Sequence, residues 1–228
     1  MSLRVIFFDA VDTLIFLPKG AGLHYSEAAR RQGWDIPPKV FQPAFFAVYK
    51  EMPARSVTRG PRADDDKGWW RELVMRVLDR CEVPADQADR DVYFEEVYTA
   101  FAQPGVWQLF PETREAIEAL CPHFTLGIIS NFDGRLRTLL DQFGITEYFQ
   151  HIIISSEVGA DKPDPWIFEC ALRAAGVAAD EVLYVGDDPL RDWQSSEALG
   201  LKTFRLERPG NSLRDLVGMA LGRMTKPE

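Results

Sequence analysis

Five short apolar runs most constrain what this chain can fold into. Residues 3–8, 124–130, 151–155, 181–186 and 201–205 are rich in Ile, Val and Phe and do not alternate strictly between apolar and polar. A strand of that composition hides both faces, as strands do in a parallel sheet covered by helices on each side. Helical patterns separate most of the runs. Residues 111–120 carry Ile117 and Leu120. Residues 134–143 carry Leu136, Leu139 and Leu140 and stop at Gly144, a C-terminal helix glycine. Residues 165–175 start with Asp164 as N-cap and Pro165 in the first turn, and stop at Gly176. Residues 190–199 stop at Gly200. Strand, helix, strand repeated in this way predicts a doubly wound, Rossmann-like α/β core with a parallel sheet.

One stretch breaks the alternation. Residues 17–106 read as helices throughout. Stripes at helical spacing run through Phe41, Phe45, Val48, Tyr49 and Met52, through Trp69, Trp70, Leu73, Val77 and Leu78, and through Val92, Tyr93, Val97, Tyr98 and Phe101. A shorter helix is expected around 23–31. Pro43 either kinks the second helix or marks its start. The chain is therefore expected to hold an α/β core, residues 1–16 and 107–228, interrupted by an all-helical insert. Pro18-Lys19-Gly20 and Pro104-Gly105 mark its two junctions as hinges. Within it, Trp69 and Trp70 read as core. Arg55, Arg59 and Arg62 read as a solvated loop, with anion recognition as the alternative. Lys19 and His24 sit near the first hinge, where a histidine is more often structural.

Composition sets outer bounds. The 228 residues can bury about 70% of their unfolded surface, so the fold needs no covalent staples. With 26 basic and 35 acidic residues the net charge is −9, which argues against non-specific nucleic-acid binding. Cys81, Cys121 and Cys170 have no metal or disulfide spacing and read as small apolar residues. No run approaches the ~18 apolar residues of a membrane span. The first apolar run stops at Asp9, too soon for a secretory signal. A reducing cytoplasm is the expected compartment.

Open α/β sheets bind ligands at the carboxyl ends of their strands. The first run ends in Asp9, the second in Ser130-Asn131. Beyond the third comes Asp161-Lys162-Pro163, and beyond the fourth Gly186-Asp187-Asp188, with Asp192 one turn on. Asp9, Asp187, Asp188 and Asp192 against Lys162 leave a charge of about −3 in one crevice, and carboxylates this close do not all ionise cheaply without a cation. A hard, oxygen-only cluster favours Mg²⁺. With a cation and Lys162 present, a phosphate dianion becomes an acceptable ligand, held by Lys162 and Ser130 and open to in-line attack by Asp9.

These residues are arranged as in one known family. Phe8-Asp9 to Thr13-Leu14, Ile129-Ser130-Asn131, Lys162-Pro163-Asp164-Pro165, and Gly186-Asp187 with Asp192 resemble, in order and topology, the motifs of haloacid dehalogenase superfamily hydrolases. The resemblance covers nearly the whole chain, and the helical insert corresponds to that family's mobile cap. Trp69-Trp70, Ser130-Asn131-Phe132-Asp133 and Lys162-Pro163-Asp164-Pro165 resemble its poorly characterised domain-containing branch. The resemblance implies Asp9 as a nucleophile that becomes an aspartyl phosphate. Ser130 and Lys162 would bind the transferring group, with Asn131 a further substrate contact. Asp9, Asp187 and the carbonyl of Val11 would hold Mg²⁺, with Asp192 as a further metal group and Asp188 in a similar or helix-capping role. The substrate would be a small phosphorylated molecule.

Val11 departs from the pattern. The family's phosphatases place there an Asp that protonates the leaving alkoxide and then activates water. Val does neither, and such help is typically worth about 10²–10⁴-fold. Three readings follow: a phosphatase for substrates with good leaving groups, a catalytically weak phospho-ligand binder, or a 2-haloacid dehalogenase, whose halide leaves without a proton. The acidic cluster argues against the last, because that enzyme binds its carboxylate substrate without Mg²⁺. Asp12 could replace the missing acid only by pointing away from where its position suggests.

Overall fold

The computed structural model describes residues 3–222. The chain divides into two compact units, Met1–Phe16 with Ser56–Arg62 and Leu109–Glu228, and Leu17–Arg55 with Ala63–Gln108.

The first unit is built on a five-stranded parallel sheet. Its strands are β1 (Val5–Phe8), β4 (Thr125–Ser130), β5 (Phe149–Ile154), β6 (Val182–Gly186) and β7 (Lys202–Arg205), in the order β5-β4-β1-β6-β7. A two-stranded sheet, β2 (Ile15–Phe16) with β3 (Gln108–Leu109), was not expected from the sequence. All four residues of β1 are buried, as a central strand covered on both faces requires. Phe7 and Phe8 are wholly inaccessible, and burial of such side chains contributes about 1.5–3 kcal/mol each. Gly127 on β4 makes room for Phe7, since a Cβ there would lie 2.3 Å from its ring. Register aligns the strand ends. Phe8 pairs with Ile128 and Val185, so Asp9, Ser130 and Asp187 leave the sheet at one edge.

The second unit is helical: α1 (Gly20–Arg31), α2 (Pro38–Glu51), α3 (Lys67–Arg80) and α4 (Gln87–Ala100). Its core gathers Tyr25, Phe41, Leu73, Val77, Tyr93 and Val97. The Tyr93 hydroxyl donates to the Tyr25 carbonyl at 3.0 Å, which satisfies it inside that core. Trp69 and Trp70 pack against the cluster. Helix α2 starts at Pro38, so Pro43 lies inside it rather than at its start.

The segment Ser56–Arg62 groups with the sheet unit, within a stretch read from sequence as continuous insert. Backbone bonds explain this: Thr58 N–H donates to Gly159 O at 2.8 Å and Arg62 N–H to Ser156 O at 2.8 Å. Arg62 pairs with Asp161 at 2.9 Å, and Arg55 with Asp66 at 3.2 Å. Neither guanidinium matches the solvated loop the sequence suggested.

The flanking helices are α5 (Thr113–Leu120), α6 (Arg135–Phe143), α7 (Ser155–Val158), α8 (Pro165–Ala175), α9 (Ser195–Ala198) and α10 (Leu213–Gly222). The expected helix over 190–199 is instead a π turn, Pro189–Gln194, followed by α9. Asp188 caps that turn: its side chain accepts from Leu190 N–H and Arg191 N–H, and its carbonyl accepts from Trp193 N–H five residues on. Wide turns of this kind often sit at functional sites. Among the described residues no helix is long and apolar enough to cross a membrane.

Candidate active site

The site forms where β1, β4 and β6 end. Asp9 directly follows β1, and its N–H donates to Val185 O at 2.8 Å, which extends the ladder by one residue and fixes where the carboxylate emerges. Lys162 is placed from the neighbouring strand end. The Asn131 side-chain amide donates to Lys162 O at 2.8 Å, and Lys162 N–H donates to Asn131 Oδ1 at 2.6 Å. This two-point clip commits one donor and one acceptor of Asn131, the expected substrate contact, to positioning Lys162.

Lys162 is buried, and its three N–H groups meet three acceptors. Nζ lies 2.8 Å from Asp9 Oδ1, 2.6 Å from Asp192 Oδ1 and 2.8 Å from Tyr184 Oη. Tyr184 Oη in turn donates to Asp192 Oδ1 at 2.9 Å. Asp192 Oδ2 accepts the Asp188 N–H at 3.0 Å. Gly186 is needed for this approach, since a Cβ there would fall 2.4 Å from the Asp192 carboxylate. Asp187 accepts a hydrogen bond from Thr13 Oγ1 at 3.2 Å. Carboxylate oxygens of Asp9, Asp187 and Asp192 all lie within 4.8 Å of one another.

Electrostatics follow from that crowding. Burial pushes the Asp9 carboxyl up to about 6; Lys162 pulls it down and Asp192 pushes it up. Burial also raises Asp187, to about 7, helped by the charges of Asp9, Asp192 and Asp12. Burial opposes the Lys162 charge, but Asp9 and Asp192 outweigh it and hold the ammonium above its ordinary value. Three carboxylates against one ammonium sum to −2. An oxygen-only donor set with uncompensated negative charge fits a hard divalent cation such as Mg²⁺. Asp192 has both oxygens engaged by protein donors, so it serves Lys162 directly and a cation less directly.

The other predicted residues take clear places. Ser130 ends β4 with a buried side chain. Val11 lies in the turn after Asp9, bridged to Ile15. Asp188 caps the π turn, which accounts for it without a metal. Asp133 accepts from the Arg135 N–H at 3.1 Å, at the start of α6. Lys19 and His24 belong to the helical unit, where the His24 ring lies 5.5 Å from that of Phe101. Sequence reasoning missed Thr13, Tyr184 and Arg208. Tyr184 is hidden inside an apolar strand. Arg208 follows the fifth strand, whose carboxyl end the same strand-end rule would have singled out. It donates to Asp12 O at 2.9 Å, Thr13 O at 3.1 Å and Glu112 Oε1 at 2.8 Å.

A pH effect follows. A carboxyl raised on folding adds stability while protonated, and loses it as pH rises through its folded value. In chelator, Asp187→Asn is therefore expected to gain stability over the parent as pH rises from the carboxyl's ordinary value of 3.8 to its folded value of about 7. Thermal melts check this, at about 2–4 °C per kcal/mol for a chain of this size. An advantage that shrinks with pH contradicts it.

A profile of the haloacid dehalogenase-like hydrolases matches residues 72–206. Haloacid dehalogenase-like hydrolase domain-containing protein 3 of Danio rerio is 31% identical, across 91% of this chain and 86% of its own. A HAD phosphatase from Thermococcus onnurineus matches with a TM-score of 0.67 and 20% identity, over 96% of this chain and 98% of its own. A 2-haloacid dehalogenase from Pseudomonas syringae pv. Tomato DC3000 matches at 0.66 and 23%, over 98% and 100%. Likeness at those identities shows the fold and does not separate the two chemistries. On the profile and the relative together, the chain belongs to the haloacid dehalogenase-like hydrolase family.

Proposed function

We propose that the chain is a Mg²⁺-dependent phosphoryl hydrolase for a small phosphorylated metabolite, working through an aspartyl phosphate on Asp9. The observation that carries this reading is one buried ammonium, Lys162, beside three clustered carboxylates, Asp9, Asp187 and Asp192. Mg²⁺ held by Asp9, Asp187 and the carbonyl of Val11, with Asp192 beside them, would polarise the phosphoryl group and offset its charge. Asp9 forms the bond to phosphorus as the bond to the leaving oxygen breaks. Ser130 would hold one phosphoryl oxygen in line, and Lys162 would hold another by exchanging one of its three protein acceptors for the phosphoryl group. Water then attacks phosphorus and frees Asp9. The helical insert, residues 17–106, is assigned the choice of substrate, and a reducing cytoplasm remains the expected compartment.

Val11 sets the substrate type. With no carboxyl at this position to protonate it, the leaving group departs as its own anion, which favours aryl and acyl phosphates over alkyl phosphates. Val11→Asp is therefore expected to raise the alkyl phosphate rate by about 10²-fold or more, with a smaller gain on aryl phosphate. Equal gains, or losses on both, contradict this role. The function itself is tested by phosphate release from an aryl phosphate with Mg²⁺ and with chelator, and by halide release from 2-chloropropionate. Mg²⁺-dependent phosphate release supports the reading. Chloride release in chelator, without phosphate release, overturns it in favour of a dehalogenase. Neither product, with phosphate analogues still binding, overturns it in favour of a binder.

A further inference from the structure

Arg208 lies just past β7, yet it reaches the turn that follows β1. Its guanidinium donates to the carbonyls of Asp12 and Thr13 at 2.9 and 3.1 Å. Two features anchor it there: Glu112 Oε1 at 2.8 Å and the face of Phe110, 3.6 Å from the guanidinium carbon. Glu112 is itself buried. The turn needs holding, because Asp12 has φ +59°, a left-handed conformation uncommon for a residue with a side chain. The next residue is Thr13, whose hydroxyl donates to Asp187 Oδ1 at 3.2 Å. Any shift of the turn moves that hydroxyl away from Asp187. A planar fork can reach two carbonyls and a carboxylate together, which a lysine ammonium on its flexible stem does less well.

We infer that Arg208 is a positioning residue for the cation site, acting through the Asp12–Thr13 turn to fix Thr13 Oγ1 on Asp187. This rests on the Mg²⁺ reading of the Asp9–Asp187–Asp192 cluster.

The test is calorimetric titration of Mg²⁺ into the full chain and its variants, with thermal melts in chelator alongside. Groups that orient metal ligands typically change metal affinity by 10–100-fold. Arg208→Gln is expected to weaken Mg²⁺ binding about 10-fold or more. Arg208→Lys is expected to restore part of that loss. Thr13→Val should weaken binding similarly, and adding Arg208→Gln to Thr13→Val should change little further, because both act on one contact. Wild-type Mg²⁺ affinity in Arg208→Gln overturns the inference, as does a double variant that loses the full sum. A lowered melting temperature with unchanged affinity assigns Arg208 a purely structural role and also overturns it. If Arg208→Gln does not fold, Glu112→Gln carries the test, since it weakens the anchor and leaves the guanidinium in place; unchanged affinity there is again contrary. A parent chain that binds no Mg²⁺ refutes the cation reading itself, a failure distinct from any of these.

Discussion

Asp9→Asn is expected to remove phosphate release while the protein still folds. The amide keeps the shape of the carboxylate but has no anionic oxygen to attack phosphorus. Folding should survive because Lys162 keeps Asp192 at 2.6 Å and Tyr184 at 2.8 Å. The variant also deletes a carboxyl that burial has raised to about 6, so one unfavourable charge leaves the site above that pH. Loss of a nucleophile costs about 10⁴-fold or more in turnover. Steady-state assays paired with circular dichroism check this. A folded variant within tenfold of the parent would mean another group attacks.

Lys162→Met should show the second large effect, on stability as well as rate. The ammonium is buried between Asp9 and Asp192, so its removal leaves one buried carboxylate, Asp192, and one partly buried, Asp9, without their counter-charge. Breaking a buried ion pair from one side costs about 3–5 kcal/mol. Part of that cost is escaped by protonation, because the Asp9 carboxyl, pushed up to about 6 by burial, can go neutral at pH 5. The loss should therefore be larger at pH 8 than at pH 5. Urea denaturation at the two pH values measures it. A loss that is small, or equal at both, contradicts the charge balance described here.

The strands of the main sheet were legible because a sheet buried on both faces leaves continuous apolar runs, and each of the five strands of the parallel sheet overlaps a predicted one. The helix at 165–175 was legible from its ends, Asp164 and Gly176, and the structure has α8 over that span. The π turn was not, because it is a backbone register in which Trp193 N–H reaches the carbonyl of Asp188 five residues back, and apolar periodicity does not register that. Segment 56–62 was read with the helices around it because its ties to Ser156 and Gly159 are backbone bonds without a compositional signature. Asp9, Lys162, Asp187 and Asp192 could be found because chemistry needs charges at strand ends. Asn131 was found for a different reason than its position shows, since its amide clips the backbone of Lys162. Tyr184 was invisible for a physical reason: a tyrosine in a buried strand has the same pattern whether its hydroxyl is idle or bonded to Lys162 and Asp192.

Val11 makes the central claim directly measurable. If no side chain at that position activates water, breakdown of the covalent intermediate is slower than its formation, and it accumulates. Mixing the protein with an aryl phosphate and Mg²⁺, quenching with acid and mapping phosphate by peptide mass spectrometry reads this out. The account predicts a burst of phenolate stoichiometric with enzyme and phosphate on Asp9, both absent in chelator. An unmodified Asp9 during steady phosphate release would contradict it.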